Sequence, residues 1–287
     1  TVLHFDGTTW SAVTNASVQP LRGIAGTAAD AVVFVGNGGT VLRWNGSTLV
    51  PLSFSSRADF TSAWADPQGV IWAAGTFGAL ARITGSQVVV NSPFSRVLSV
   101  WSGGTGAWAT NVDGEVLHWA PDGTLVERVT VSGGSPLNGI SGTSDSTVWA
   151  VGAGIWHFDG STWALARSSA STLNAVHART ATDVWAVGNA GTTLHWDGTA
   201  WTAFSAGTAT FSAVYALAAD DAWAVGNGGA TAHWNGTAWT PIAGGTTSQL
   251  LSVWGGAAND VWAGGSVGTL LHWNGTAWAR VTNPAVG

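Results

Sequence analysis

The chain of 287 residues contains no cysteine, methionine or lysine, only one tyrosine and two glutamates, and its charged fraction is 8%. Each shortage removes a class of chemistry. Without cysteine there are no disulfides, thiolate metal sites or sulfur nucleophiles. Without lysine the nine basic residues are all arginine, scattered from Arg22 to Arg280, and the formal net charge is −6. No positive stripe is available to a phosphate backbone, so nucleic acid is not expected as a partner. No apolar run approaches the ~18 residues that would cross a bilayer as a helix. A sialidase-type mechanism needs a tyrosine nucleophile with clustered arginines and an acidic partner, and glycoside hydrolysis needs paired carboxylates. Tyr215, Glu115 and Glu127 are too few to supply either, so no enzymatic role, cofactor or metal is expected.

What the chain has instead is glycine (40), tryptophan (20) and repetition. The phrase DVWAVGNAGTTLHWDGTAWT recurs in variants from end to end. Its central aromatic position is held by Val33, Trp72, Trp108, Trp149, Trp185, Trp223 and Trp262, at intervals from 36 residues (Trp72 to Trp108) to 41 (Trp108 to Trp149). A period in this range marks stacked supersecondary units. In the fifth unit, segments at 173–178, 183–188, 192–196 and 200–204 are short, β-branched or aromatic, and separated by Asn, Asp, Gly, Ser and Thr. They read as four strands. Asn37-Gly38-Gly39 and Asn227-Gly228-Gly229 between the second and third strands, and Asp197-Gly198 or Asn235-Gly236 between the third and fourth, are tight-hairpin chemistry.

The expected fold is therefore all-β, one domain over 1–287: a β-propeller of seven four-stranded antiparallel blades at about 21–52, 60–90, 97–130, 137–165, 173–203, 211–242 and 250–281. Eight blades, one incomplete, is the alternative. Residues 1–13 repeat the third and fourth strands once more, as do residues 269–281, and only one pair can close a seven-blade ring. The N-terminal copy is expected to be the closing half blade; an unused hairpin could instead support strand-swapped self-association.

Most aromatic positions recur once per unit, as packing requires. Trp72, Trp108, Trp149, Trp185, Trp223 and Trp262 form one set, Trp44, Trp119, Trp196, Trp234 and Trp273 a second, and Trp10, Trp163, Trp201, Trp239 and Trp278 a third. Six of the seven histidines share one third-strand position, which Arg43 and Arg82 also occupy. Such residues cannot converge on one ion, and arginine is no ligand; a hydrogen bond to Asp183, Asp221 or Asp260 is expected instead. The segment 111–115 lacks a full run of alternating acidic ligands and reads as a turn rather than a calcium loop.

One position varies while its surroundings do not. At the end of the first strand stand Ala25, Trp64, Trp101, Ser141, His177, Tyr215 and Trp254. If this strand lines a central channel, Trp64, Trp101, His177, Tyr215 and Trp254 are the candidate ligand-binding residues.

The phrases FDGTTW, WDGTAW and WNGTAW resemble the glycine-to-tryptophan ending of the Asp-box of sialidase-like propellers, one residue shorter between Asp and Gly. The whole unit resembles repeats of the photosystem assembly-factor propellers, the bacterial bangle lectins and the tectonin-type lectins. That resemblance implies a binding module. The first expectation is lectin-like carbohydrate binding through loops and channel mouth; the alternative is a protein-binding scaffold or assembly factor. The low charge and abundant Thr, Ser and Gly suggest a bacterial extracellular or cell-surface protein.

Overall fold

The computed structural model describes residues 2–14, 17, 19–91 and 95–281. It contains seven four-stranded sheets, each a meander whose strand order in space follows the chain, and one two-stranded sheet at the N-terminus. This is the seven-bladed all-β propeller class expected from the repeats. Among the described residues the only helical elements are single 3₁₀ turns, such as Asn37–Gly39 and Asn189–Gly191, at the link between second and third strands.

Blade 5 shows why the repeat folds as it does. Its strands are Leu173–Thr180, Asp183–Gly188, Thr192–Trp196 and Trp201–Ser205, and register pairs Trp185 with His177 on one side and His195 on the other. The turn between third and fourth strands is closed by Asp197, whose Oδ1 accepts the backbone N–H of Thr199 and of Ala200, each at 2.8 Å, and the Thr199 hydroxyl at 2.7 Å. Gly198 supplies the left-handed φ of +96°. Those bonds, led by the Thr199 hydroxyl, hold the Asp197 carboxyl down to about 2. Asn235 and Asn274 make the same three bonds in blades 6 and 7. The turn needs an acceptor, not a charge, so Asp and Asn interchange in the repeat.

By internal packing the chain falls into two units, one ending at Leu137 and the other beginning at Asn138. The second unit holds blades 4–7, and there the tryptophan sets meet. The second-strand indoles of blades 4, 5 and 6 each lie against the two outer-strand indoles of the next blade. Trp149 stands 5.4 Å from Trp196 and 5.2 Å from Trp201; Trp185, 4.9 Å from Trp234 and 5.1 Å from Trp239; Trp223, 4.9 Å from Trp273 and 5.3 Å from Trp278. The second contact of each pair is edge-on, a favoured arrangement of ring quadrupoles. Beneath the indole the next blade offers alanine: Trp149 shares a core with Ala186, Trp185 with Ala224 and Trp223 with Ala263.

The other side of each indole stacks on the third-strand histidine of its own blade, 4.2 Å for Trp185–His195 and 4.1 Å for Trp262–His272. The expected carboxylate partners are present. His195, His233 and His272 bond through Nε2 to Asp183, Asp221 and Asp260 at 2.7, 3.0 and 2.9 Å, and the indole N–H groups of Trp223 and Trp262 donate to the same two carboxylates in blades 6 and 7. In blade 5 Arg179 also donates to Asp183. Burial pushes the Asp183 carboxyl up, but the bonds from His195 and Arg179 outweigh it and leave the group below its ordinary value.

The first unit holds the N-terminal hairpin and blades 1–3, and departs most from the repeat. Blade 1 carries Val33 in the tryptophan position and blade 2 pairs Trp72 with Arg82 rather than histidine. The hairpin, Val2–Phe5 with Trp10–Val13, pairs only with itself among the described residues. The expectation that this pair supplies the outer strands of the last blade is corrected: blade 7 uses its own Leu270–Trp273 and Trp278–Arg280. Two physical reasons favour the local copy. It is joined to blade 7 by a short link, so pairing closes a small loop. It also carries Trp273, which packs on Trp223, where the N-terminal copy has Phe5.

Candidate functional site

The variable first-strand position sits opposite the second-strand aromatic in blades 2, 3, 5, 6 and 7, as Trp64↔Trp72, Trp101↔Trp108, His177↔Trp185, Tyr215↔Trp223 and Trp254↔Trp262, and opposite Val33 in blade 1. In the second unit the structure brings three of the five candidates together. The His177 and Tyr215 rings are 4.5 Å apart and those of Tyr215 and Trp254 6.5 Å apart, forming an aromatic line across blades 5, 6 and 7. The line grades outward: His177 and Tyr215 are half-buried and Trp254 is 53% exposed.

Part of this position's work is structural. The backbone N–H of Ala178 donates to Ser141 Oγ at 3.0 Å, and that of Ala216 to His177 Nδ1 at 3.1 Å, so each side chain anchors the first strand of the next blade. Because Ala216 can only donate, the neutral His177 ring carries its proton on Nε2. Asn138 and Asn174 add bonds of the same kind, donating to the carbonyls of Leu173 and Phe211 at 2.8 Å. Desolvation pulls His177 down to about 4, with the Asp183 carboxylate opposing and Arg179 reinforcing. Burial raises the Tyr215 phenol, keeping a neutral hydroxyl in the line.

The sign of a pH effect follows. A histidine depressed in the fold from 6.5 to about 4 binds its proton more weakly when folded, so stability falls as pH drops from 6.5 toward 4. His177→Gln is expected to flatten the pH dependence of the unfolding free energy in that window by on the order of 1–3 kcal/mol, and with it that of the unfolding temperature. Thermal melts of both proteins from pH 7 to 4 check it; parallel curves would exclude His177 as the source.

In the first unit the two candidates part. The Trp64 indole N–H donates to the Ser102 carbonyl at 3.0 Å and the residue keeps 37% exposure. Trp101 is 4% exposed and presents no ring face to a ligand; its candidacy is corrected to a core role. Sequence reasoning missed Leu251, 52% exposed at the bulge between Leu250 and Ser252. The available signal was a leucine at the first-strand place where blades 4 to 6 carry Asn138, Asn174 and Ser212.

The turn at 111–115 is built around itself. Asn111 Oδ1 accepts the N–H groups of Asp113 and Glu115, and the buried Glu115 carboxylate receives Asn111 Nδ2 at 2.8 Å and Arg128 Nε at 2.9 Å. Among the described residues no group of three His, Asp or Glu side chains is placed to hold a metal ion, and no described helix is long and apolar enough to cross a membrane.

No family model and no curated protein matches the sequence. Solved structures do share the fold. YCF48 bound to a D1 peptide aligns at 16% identity and TM-score 0.67, over 94% of this chain and 96% of its own. Virginiamycin B lyase from Staphylococcus aureus aligns at 13% identity and TM-score 0.76, over 89% and 94%. The WD40 β-propeller domain of Doa1 aligns at 13% identity and TM-score 0.64, over 96% of each. At these identities the likeness defines the class, a seven-bladed β-propeller.

Proposed function

We propose that this protein is a non-catalytic propeller scaffold that binds a segment of a partner protein along the line His177, Tyr215 and Trp254. The carrying observation is the character of that line: three ring faces, graded from half-buried to exposed, with a neutral phenol and imidazole. Aromatic side chains of this kind are the usual anchors of protein interfaces. Leu251 extends exposed apolar surface on the strand that carries Trp254. YCF48 with its bound D1 peptide and the WD40 domain are propellers of the same class, which supports the reading by analogy. The lyase among the fold relatives does not favour an enzyme here, because fold does not carry function.

The glycan alternative drew on the tryptophan excess. Most of that excess is packing: Trp72, Trp108, Trp119, Trp149, Trp185 and Trp223 are at most 1% exposed, whereas Trp64 and Trp254 are the two indoles with more than a third of their surface free. Selection from a displayed peptide library beside a glycan array separates the two. Peptides whose binding drops about ten-fold or more in the Tyr215→Ala, Trp254→Ala double variant, the loss of one to two anchor side chains, are the expected outcome. Saturable glycan binding, competed by free sugar and lost in the same variant, would overturn the proposal in favour of a lectin.

A further inference from the structure

In blades 5, 6 and 7 the pairing of first and second strands steps past one residue near the end of the first strand. Thr180 pairs with Asp183, Ala218 with Asp221 and Ala257 with Asp260, and the residue passed over just before is Arg179, Leu217 or Gly256. A bulge of this kind re-aims one side chain. In blade 5 that side chain is a guanidinium, which donates to Asp183 Oδ2 while His195 bonds to Oδ1. In blade 6 it is apolar: the branched end of Leu217 lies over Gly255 of blade 7, where an added Cβ would stand 2.8 Å from Leu217 Cδ1. In blade 7 the bulge residue is glycine and sends nothing toward the carboxylate.

The consequence falls on Asp260. Its Oδ1 accepts Trp262 Nε1 at 2.7 Å and bonds to His272 Nε2 at 2.9 Å, whereas its Oδ2 makes no hydrogen bond or ion pair with the described residues. The Asp260 side chain is 45% exposed, against 6% for Asp183 and 15% for Asp221. A Cβ added to Gly256 would meet Asp260 Oδ2 at 3.0 Å and Trp254 Cη2 at 3.1 Å. The place of the Arg179 side chain is therefore bordered in blade 7 by a free carboxylate oxygen and by the exposed Trp254 ring. That pair suits a planar cation. The oxygen takes charge-assisted hydrogen bonds, and the face of an indole attracts positive charge through its quadrupole.

We propose that Asp260 and Trp254 bind an arginine of the partner segment, whose guanidinium takes in blade 7 the place that Arg179 fills in blade 5. The inference rests on the reading of the aromatic line as a partner-binding surface, and it names the residue that the exposed end of that line selects. Arginine fits better than lysine because a guanidinium is planar, stacks on an aromatic face and bonds a carboxylate in its own plane, whereas an ammonium acts as a point charge. The blade 5 pair shows that the repeat's geometry accommodates it. A formal net charge of −6 favours approach of a cationic segment. An apolar or acidic residue at the same place would strip water from Oδ2 without supplying a donor, which is unfavourable.

Three capped tripeptides, Gly-Arg-Gly, Gly-citrulline-Gly and Gly-Lys-Gly, test this on the whole chain. Citrulline keeps the planar shape and loses the charge. Titration is followed through the indole N–H resonance of Trp254, assigned by its loss in Trp254→Phe. Saturable binding of the arginine peptide is expected, with the citrulline peptide weaker by about ten-fold or more, the scale of a hydrogen bond to a charged group. Asp260→Asn, which keeps an oxygen for His272 and Trp262, is expected to remove that preference. Gly256→Arg, at a backbone with no left-handed φ, is expected to fill the place from within and abolish binding. No saturable binding, equal binding of the arginine and citrulline peptides, a lysine peptide bound as tightly as the arginine one, or a preference that survives Asp260→Asn would overturn the proposal. Peptides from the displayed library separate it from the reading it rests on. If they depend on Tyr215 and Trp254 but tolerate citrulline for every arginine, the scaffold reading stands and the arginine site falls. If none depends on those rings while Gly-Arg-Gly binds with the expected preference, the site stands and the scaffold reading falls.

Discussion

Replacing Trp185 with alanine is expected to lower the free energy of unfolding by about 3–5 kcal/mol, the range for deleting a large buried aromatic. The indole is fully buried and touches three elements at once: His195 on its own blade, and Trp234 and Trp239 on the next. Ala224 lies in the same core and is too small to collapse into the cavity. Urea denaturation should show a lower midpoint at an unchanged slope, because the loss is of packing and not of the surface exposed on unfolding. Trp254→Ala is the contrast. With 53% of its surface free, its loss should stay within about 1 kcal/mol, as for most surface substitutions. A change below about 1 kcal/mol for Trp185→Ala as well would contradict the interblade role of the whole set.

The second large effect concerns the termini. Deleting residues 266–287 removes both outer strands of blade 7, including Trp273 and Trp278, and uncovers the Trp223 indole that they flank. Deleting residues 1–13 removes a two-stranded sheet whose ring contact to blade 1 is His4 against Trp44 at 5.1 Å. The C-terminal deletion is therefore expected to be the more severe. It should lower the unfolding temperature by about 10 °C or more, the scale of several kcal/mol in a chain of this size, while the N-terminal deletion should cost only a few degrees. This order is the reverse of what a ring-closing N-terminal pair would produce. Differential scanning calorimetry of the two truncated chains decides it: a larger drop for the N-terminal deletion would mean that the hairpin, not the C-terminal pair, is the structural one.

Much of the architecture was legible because a repeat states its packing several times over. The Trp-to-His-to-Asp relation could be read from blades 5 to 7 alone, since Trp185, His195 and Asp183 recur at the same offsets as Trp223, His233 and Asp221. The hairpin turns were equally plain, because Asp197-Gly198-Thr199 can close a strand pair with its own side chains. The pairing of the termini was not legible. Residues 1–13 and 269–281 encode the same two strands, and the choice between them rests on Phe5 against Trp273 and on loop length, which a repeat alignment treats as noise. The candidate positions were only partly legible for the same reason. Variation marked out His177, Tyr215 and Trp254, which lie in one line, but it marked the buried Trp101 too. Exposure depends on what surrounds a position as well as on which residue fills it.

The close spacing of the indoles also has an optical consequence. Rings about 5 Å apart exchange excitation readily, so light absorbed by one packed indole is shared with its neighbours. The packed tryptophans of blades 4 to 7 thus act as a coupled set, whereas Trp64 and Trp254 are the indoles most open to water. A water-soluble quencher such as iodide is therefore expected to reach Trp254 and Trp64 first, and the packed set only as the blades open.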